Sequence, residues 1–280
     1  MKKILITGAN SYVGTSFEKW VAQYPESYDV DTVDMKAYSW RERNFSEYDV
    51  VLHVAGIAHI KETKENEELY YKVNRDLAFE AAKKAKTEGV KQFIFLSSMS
   101  VYGMETGVID QETPTNPKNA YGKSKLEAEN LILELTDESF AVSILRPPMI
   151  YGKGCQGNYP KLANLARKTP VFPEIDNKRS MIYIDNLSEF IRLIADNCDS
   201  GIFFPQNKDY VKTSDMVKRI AFMHHKNVKM TNLFNIFLKG AGRGVISKVF
   251  GDLVYKQNLS EYPENYWVFN LDESIKLTER

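Results

Sequence analysis

Short apolar strand-like runs recur along this 280-residue chain, most of them separated from the next by a helical pattern. Residues 3–7, 28–33, 50–54, 93–96 and 142–145 read as strands. Between them, apolar residues recur at helical spacing over 14–24, 65–88 and 121–138. Phe17, Trp20 and Val21 point toward the sheet in the first of these helices. Leu69, Val73, Leu77 and Ala81 recur every four residues in the second. Ala128, Leu131, Ile132 and Leu135 mark the third. A strand buried on both faces has no polar side to alternate with, so continuous runs spaced by helices predict an α/β, doubly wound parallel sheet.

Beyond Arg146 the pattern loosens, with Gly152, Gly154 and Gly157 interrupting a loop. A helix is expected at 159–168, a short strand at 180–184 and a helix at 186–196. Thr213 and Ser214 are placed to cap another helix running to about His224. The apolar stretch 230–255 contains Gly240, Gly242, Gly244 and Gly251. It reads as broken helices over a substrate cleft, with a membrane-surface patch as the alternative. The lobes are expected to interleave. Residues 1–150, with returning elements at about 180–205, form the larger one. About 151–179 and 206–280 form a small substrate-binding lobe.

Lys plus Arg and Asp plus Glu each number 37, so nothing global points to nucleic acid. Two cysteines, Cys155 and Cys198, share no metal-ligand spacing with one another or with the histidines, and no metal is expected. A reducing cytoplasm is the default for such a chain. The first strand starts too early to leave room for a signal peptide. No run of apolar residues is long enough to span a membrane.

Two motifs carry chemistry. The first strand runs straight into Gly8-Ala9-Asn10-Ser11-Tyr12-Val13-Gly14 and then a helix. A turn of that kind brings backbone N–H groups against a pyrophosphate. Gly8 permits the tight turn and Gly14 the close packing of helix on sheet. Ser11 stands where a third glycine is common. Its Cβ crowds a phosphate, whereas its hydroxyl can donate to one. A plain strand–helix turn without ligand is the alternative. Asp34, closing the second strand, is placed to bind ribose hydroxyls and repel a 2′-phosphate, favouring NAD over NADP. Lys36 blurs that preference, and a simple turn role for Asp34 remains open. Few residues follow Asp34 before the next strand, so the adenine side is expected to be lean.

The second motif is Tyr121-Gly122-Lys123-Ser124-Lys125, with Ser97 and Ser98 upstream. Tyr and Lys four residues apart share one helix face. A free Tyr, with a pKa of about 10, is a poor base at neutral pH. A Lys one turn away, together with a cationic nicotinamide, stabilises its phenolate. Ordinary surface pairing on an amphipathic helix is the bland reading.

Taken in order, these residues resemble the extended short-chain dehydrogenase/reductase family, in its NAD-dependent epimerase/dehydratase branch. The resemblance is strongest over about 3–190. It is nearest to bacterial UDP-glucose or UDP-N-acetylglucosamine 4-epimerases and nucleotide-sugar 4-reductases. It implies a Rossmann-like fold, NAD as cofactor and a UDP-linked sugar as substrate. Tyr121 would take or return the proton, Lys125 would lower its pKa and hold the nicotinamide ribose, and Ser98 would bond the same substrate oxygen. The resemblance also implies cofactor contacts from Gly8, Asn10, Ser11, Tyr12, Val13, Gly14, Asp34, His53, Val54, Ala55, Gly56, Asn74, Ser97, Tyr121, Lys125 and Pro148.

The sugar side is assigned to Ser98, Ser100, Tyr102, Tyr121, Asn158 and Arg179. Asn158 as a turn residue and Arg179 as a structural arginine remain alternatives. Arg243 is a possible stand-in for a second diphosphate-binding arginine, which the short chain leaves unaligned. Met99 stands where dehydratases carry an acid, which disfavours dehydration. His53 and His59 read as structural, although a loop near the nicotinamide could use His59. His224 and His225 read as a solvated helix end. A homodimer through helices 65–88 and 121–138 is implied. The activities left open are 4-epimerisation, NAD(P)H-dependent 4-keto reduction and a non-catalytic dinucleotide-binding regulator.

Overall fold

Six of the strands assemble into one parallel sheet in the order β10–β6–β4–β3–β1–β2. They are β1 (Lys2–Thr7), β2 (Tyr28–Val33), β3 (Val50–His53), β4 (Gln92–Leu96), β6 (Ala141–Leu145) and β10 (Gly201–Phe203). The computed structural model describes residues 1–58, 60, 62–233 and 250–280. His59, Arg243 and the middle of the apolar 230–255 stretch lie outside the described residues.

The chain divides into two units. The first is Met1–Gly103, Pro114–Pro147 and Leu187–Pro205 and holds this sheet. The chain leaves β1 for β2 on one side and returns to β3 on the other, so the strand order reverses beside β1. In an open parallel sheet that reversal leaves a crevice at the carboxyl ends of the strands. Ile4, Leu5, Ile6, Val51, Leu52, Phe93, Ile94 and Phe95 have no exposed surface, as two-sided cover requires. The segment after Asp34 is lean: a single 3₁₀ turn, Tyr38–Arg41, with Met35, Trp40, Phe45 and Tyr48 packed into the core. Among the described residues no further strand follows on that side, and β2 is the edge of this sheet. Arg43 and Tyr48 bond its Asp31.

Helix α1 (Tyr12–Val21) buries Phe17 and Val21 as expected, and Trp20 donates to Glu189. The helix expected over 65–88 forms as α2 (Glu67–Tyr71), a π-helical turn (Lys72–Asp76) and α3 (Leu77–Thr87). Of the residues recurring every four, Ala81 is buried and Leu77 packs against the core, whereas Leu69 is 43% exposed and Val73 is only partly covered. In the first turns Tyr70 and Asn74 are the buried residues instead.

Helix α4 (Ala120–Leu133) stops short of the expected Glu138. The Asp137 carboxylate accepts from the Ser139 N–H and hydroxyl and forms an ion pair with Lys86, which favours a turn there.

The second unit is Met104–Thr113, Pro148–Asn186 and Gln206–Arg280. Its described residues form three two-stranded parallel pairs: β5 (Gly107–Ile109) with β12 (Leu253–Tyr255), β7 (Met149–Tyr151) with β9 (Met181–Tyr183), and β8 (Val171–Pro173) with β11 (Lys229–Thr231). Helix α5 spans Asn158–Lys168, α6 begins at Ile184 and runs to Asn197, α7 spans Thr213–Met223 and α8 spans Leu271–Glu279.

Thr213 and Ser214 do not cap α7 but form its first turn after Lys212. The Thr213 N–H is instead met by the Asn177 side chain. Nor is His224 simply solvated, since its Nε2 lies 2.6 Å from Glu279. Glu279 also accepts from the Tyr159 hydroxyl and pairs with Arg167, so one carboxylate joins α5, α7 and α8.

Candidate active site

The turn after β1 is built around a residue that cannot carry a side chain. Gly8 has φ +121°, and a Cβ on it would lie 2.8 Å from the Ala55 amide nitrogen. The Gly8 and Ala9 N–H groups both donate to the Val33 carbonyl, tying the turn to the end of β2. Ser11 is the N-cap of α1, and its Oγ accepts from the Gly14 N–H at 3.2 Å. A Cβ on Gly14 would sit 2.6 Å from that Oγ and 3.0 Å from Ile6. Ser11 and Gly14 therefore fit one another. Accepting this bond leaves the Ser11 hydroxyl hydrogen to donate outward.

The cradle between Gly8 and Gly14, at the head of a ten-residue helix, fits a dinucleotide pyrophosphate. Asn10 supports the bend with φ +63°, Tyr12 begins the helix, and Val13 is buried beneath it. Asp34 is exposed just past β2, and its carboxylate accepts from the Lys36 N–H at 2.9 Å.

Helix α4 begins beside the end of β4. Asn119 caps it by accepting from the Gly122 N–H, and Glu62 accepts from the Ala120 N–H. Tyr121 is half-buried, with its ring edge-on to Tyr70 at 6.5 Å between centroids. Burial pushes its phenol pKa up, while a hydrogen bond with Ser98 pulls it down. Ser98 caps the 3₁₀ turn Met99–Tyr102, accepting from the Ser100 N–H and donating to the Ser100 hydroxyl, each at 3.1 Å.

Lys125, one turn below Tyr121, is 5% exposed. Its ammonium donates to the Leu96 carbonyl at 2.7 Å and lies 4.5 Å from the Phe95 ring centroid. Burial pushes its pKa down to about 8, against the opposing pull of Glu129. Tyr121, Lys125 and Ser98 are thus brought together at the carboxyl edge of the sheet.

The loop after β3 lies against this cluster. A Cβ on Gly56 would come within 3.4 Å of the Lys125 Nζ and 3.0 Å of the Asn74 Oδ1. Val54 and Ala55 are buried, and their N–H groups both donate to the Thr7 carbonyl. The π-helical turn places Asn74, fully buried, so that its amide accepts from the Ile57 N–H and donates to the Ile57 carbonyl and Ser124. Single π-turns inside helices often mark functional positions. Here the turn fixes the loop that borders Lys125.

His53 is fully buried between Phe93 and Phe95, and its Nδ1 lies 2.7 Å from the Thr7 hydroxyl. Burial, with a smaller effect from Lys125, pushes its pKa down to about 3, so the ring is neutral at ordinary pH.

Under the cluster lies a charged group that the motif reading did not single out. Glu129 has no exposed surface. It accepts from Arg146 Nη2 at 2.6 Å, from Arg146 Nε at 3.1 and 3.2 Å, and from the Ser97 hydroxyl. Arg146 also donates to the Tyr102 hydroxyl at 2.8 Å. Tyr102, assigned to the sugar side from its position, is 4% exposed with its hydroxyl on that arginine. One signal for Glu129 was present in the sequence: it follows Lys125 by four, as Lys125 follows Tyr121.

Three candidates belong to the second unit. Pro148 is buried at its start, and Asn158 is exposed at the head of α5. Arg179 donates to the Gly251 carbonyl at 3.2 Å, and its backbone bridges to Val211 and Leu253. Cys155 is buried, and burial raises its thiol pKa.

Residues 4–211 match the profile of a family described as the NAD dependent epimerase/dehydratase family. A UDP-glucose 4-epimerase of Vibrio cholerae is 32% identical over 246 residues, covering 79% of this chain and 75% of that protein. An N-acetyl-alpha-D-glucosaminyl-diphospho-ditrans,octacis-undecaprenol 4-epimerase of Escherichia coli O157:H7 is 30% identical over 71% of this chain and 64% of that protein. In fold, the chain is similar to the UDP-Glc/GlcNAc 4-epimerase of Campylobacter jejuni, with a TM-score of 0.75 at 18% identity over 100% of this chain and 98% of that one. A dTDP-4-dehydrorhamnose reductase of Clostridium acetobutylicum also has a TM-score of 0.75, at 22% identity over 99% and 98% of the two chains.

Proposed function

The chain belongs to the NAD dependent epimerase/dehydratase family, and from that premise we propose that it 4-epimerises a diphosphate-linked sugar of the UDP-glucose or UDP-N-acetylglucosamine type. It is an enzyme of the NAD-dependent oxidoreductase/epimerase type, and family members act on nucleotide sugars. The observation that carries the finer reading is the meeting of Tyr121, Ser98 and Lys125 beside the Gly8–Gly14 turn. Bound NAD would supply hydride acceptance and return at the sugar carbon. The chain's own residues handle the proton. Tyr121 takes it from the 4-hydroxyl and returns it after the 4-keto sugar has presented its other face. Ser98 bonds the same oxygen and holds its position. Lys125 lends positive charge to the phenolate and bonds the nicotinamide ribose.

The remaining assignments follow the same reading. Gly8, Asn10, Ser11, Tyr12, Val13 and Gly14 cradle the pyrophosphate. Asp34 takes the adenosine ribose and favours NAD over NADP. The loop His53–Gly56, with Asn74 behind it, borders the nicotinamide, and Ser97 and Pro148 complete that side. Ser100 is assigned to the sugar, and Asn158 and Arg179 to the nucleotide. Among the described residues no helix is long and apolar enough to cross a membrane. We place the enzyme in the cytoplasm.

The test is product analysis. Purified protein is incubated with UDP-glucose, UDP-N-acetylglucosamine and a polyprenyl-diphosphate-linked N-acetylglucosamine, with NAD and NADP in parallel arms, and products are followed by NMR. C4-inverted sugar without net cofactor turnover is expected, with NAD the better partner. Stoichiometric oxidation of NADH or NADPH with a 4-keto sugar would replace epimerisation by reduction.

Assembly is read from α2, α3 and α4, where Leu69 is 43% exposed and Val73 partly so. These helices suit a twofold helix-to-helix interface. Light scattering at tens of micromolar protein should give the mass of a homodimer, and a monomer there would remove the interface.

A further inference from the structure

We propose that Glu129 is a positioning residue of the proton-transfer site, one buried carboxylate that keeps the Lys125 ammonium charged while anchoring Arg146. The inference rests on the Tyr121–Lys125 reading above and extends it one helical turn deeper.

The geometry begins with the spacing. Tyr121, Lys125 and Glu129 occupy successive turns on one face of α4. Lys125, Glu129 and Arg146 are 5%, 0% and 7% exposed. A charge so far from water is costly unless paired and hydrogen-bonded. Glu129 meets that demand with the Arg146 fork and the Ser97 hydroxyl. Lys125 does not. Its ammonium donates to a neutral carbonyl, that of Leu96, and its ring contact is with Phe95. The groups around Lys125 and Glu129 can be named element by element. From β3 comes His53, which is neutral because burial holds it near pKa 3. From the π-helical turn comes Asn74, an amide. Ser97 lies at the end of β4, and Tyr102, with its phenol pKa raised by burial, lies on the 3₁₀ turn. Tyr121 is on α4 itself, and Arg146 follows β6. Glu129 is the carboxylate in this set, and it is the group opposing the loss of the Lys125 proton. Two further carboxylates with little exposure among the described residues pair elsewhere: Glu189 with Arg192 and Trp20, and Glu279 with His224, Tyr159 and Arg167.

A mere strut between α4 and the end of β6 would affect stability alone. A carboxylate that sets the Lys125 charge also affects its titration. The experiment reads that titration directly in the protein without sugar, by NMR of ¹³Cε-labelled lysine with the Lys125 signal assigned through Lys125→Arg. In the wild type the midpoint should lie at about 8. In Glu129→Gln it should fall by about one pH unit, the scale for losing a near opposite charge. Glu129→Asp keeps the charge and should restore most of the shift.

Glu129→Gln leaves Arg146 stranded and can fail to fold. The double variant Glu129→Gln/Arg146→Met strands no charge. It too should show a lowered midpoint, because the carboxylate that opposes loss of the Lys125 proton is gone. An unchanged Lys125 midpoint in either folded variant, with only the melting temperature altered, would overturn the proposal and leave Glu129 a strut. No substrate enters the measurement, so an error in the assigned reaction would leave its outcome intact.

Discussion

Replacing Tyr121 by Phe should leave dinucleotide binding close to normal and reduce turnover by about 10² or more, the scale for losing a positioned acid–base group. The ring keeps its edge-on contact with Tyr70, so the pocket stays filled. What disappears is the oxygen that bonds Ser98 and titrates. Ser98→Ala should be milder because the base remains. Lys125→Met should harm both binding and turnover, since its one ammonium is assigned to the phenolate and the ribose.

The pH dependence follows from the sign. Burial raises the Tyr121 pKa, so at neutral pH the phenol is protonated in the protein alone. The rate of sugar oxidation should therefore rise with pH as the phenolate forms, and that limb should vanish in the Phe variant. Stopped-flow measurement of NADH formation across pH 6–10 checks both points (about four decades of proton activity). Near-normal turnover in Tyr121→Phe would move the proton to another group, and the roles assigned to Ser98 and Lys125 would be lost with it.

The second large effect concerns stability in acid. His53 is neutral in the folded protein, with a pKa near 3 against 6.5 ordinarily. The unfolded chain takes up a proton below about 6.5 and the native protein does not, so the unfolded state binds more protons as pH falls. Stability from this group is complete above the unfolded value and is lost progressively between about 6.5 and 3. The loss approaches the order of 4 kcal/mol at the acid end. His53→Phe should stack equally well between Phe93 and Phe95. It should cost about 1 kcal/mol at pH 7 for the missing Thr7 bond and show a shallower decline toward pH 4.5. Urea unfolding at the two pH values measures the difference. Equal declines in both proteins would mean that His53 takes its proton without unfolding.

Much of the scaffold was legible in residue patterns because those patterns report local demands. A strand covered on both faces must be apolar throughout, so 3–7, 50–54, 93–96 and 142–145 could be read directly. The turn at Gly8 is equally local, since one backbone angle decides it. Tyr121 and Lys125 share a face for any helix that contains them. The motif order over about 3–190 resembled the family whose profile residues 4–211 match.

Other features depend on partners far along the chain. The set Leu69, Val73, Leu77 and Ala81 is covered only in its later half, because Tyr70 and Asn74 are the buried residues of the first turns. Thr213 and Ser214 looked like caps, but Asn177, 36 residues away, meets the first N–H. Glu129 is a helical acid by sequence. It becomes a buried counter-charge because Ser97 and Arg146, from the ends of two other strands, close on it. The sequence by itself determined the strands, the turn and the shared face, each set by backbone angle or spacing. Only the tertiary structure decided which polar groups lost their water, and burial is what gives Lys125, His53 and Glu129 their altered proton affinities or their obligatory partners.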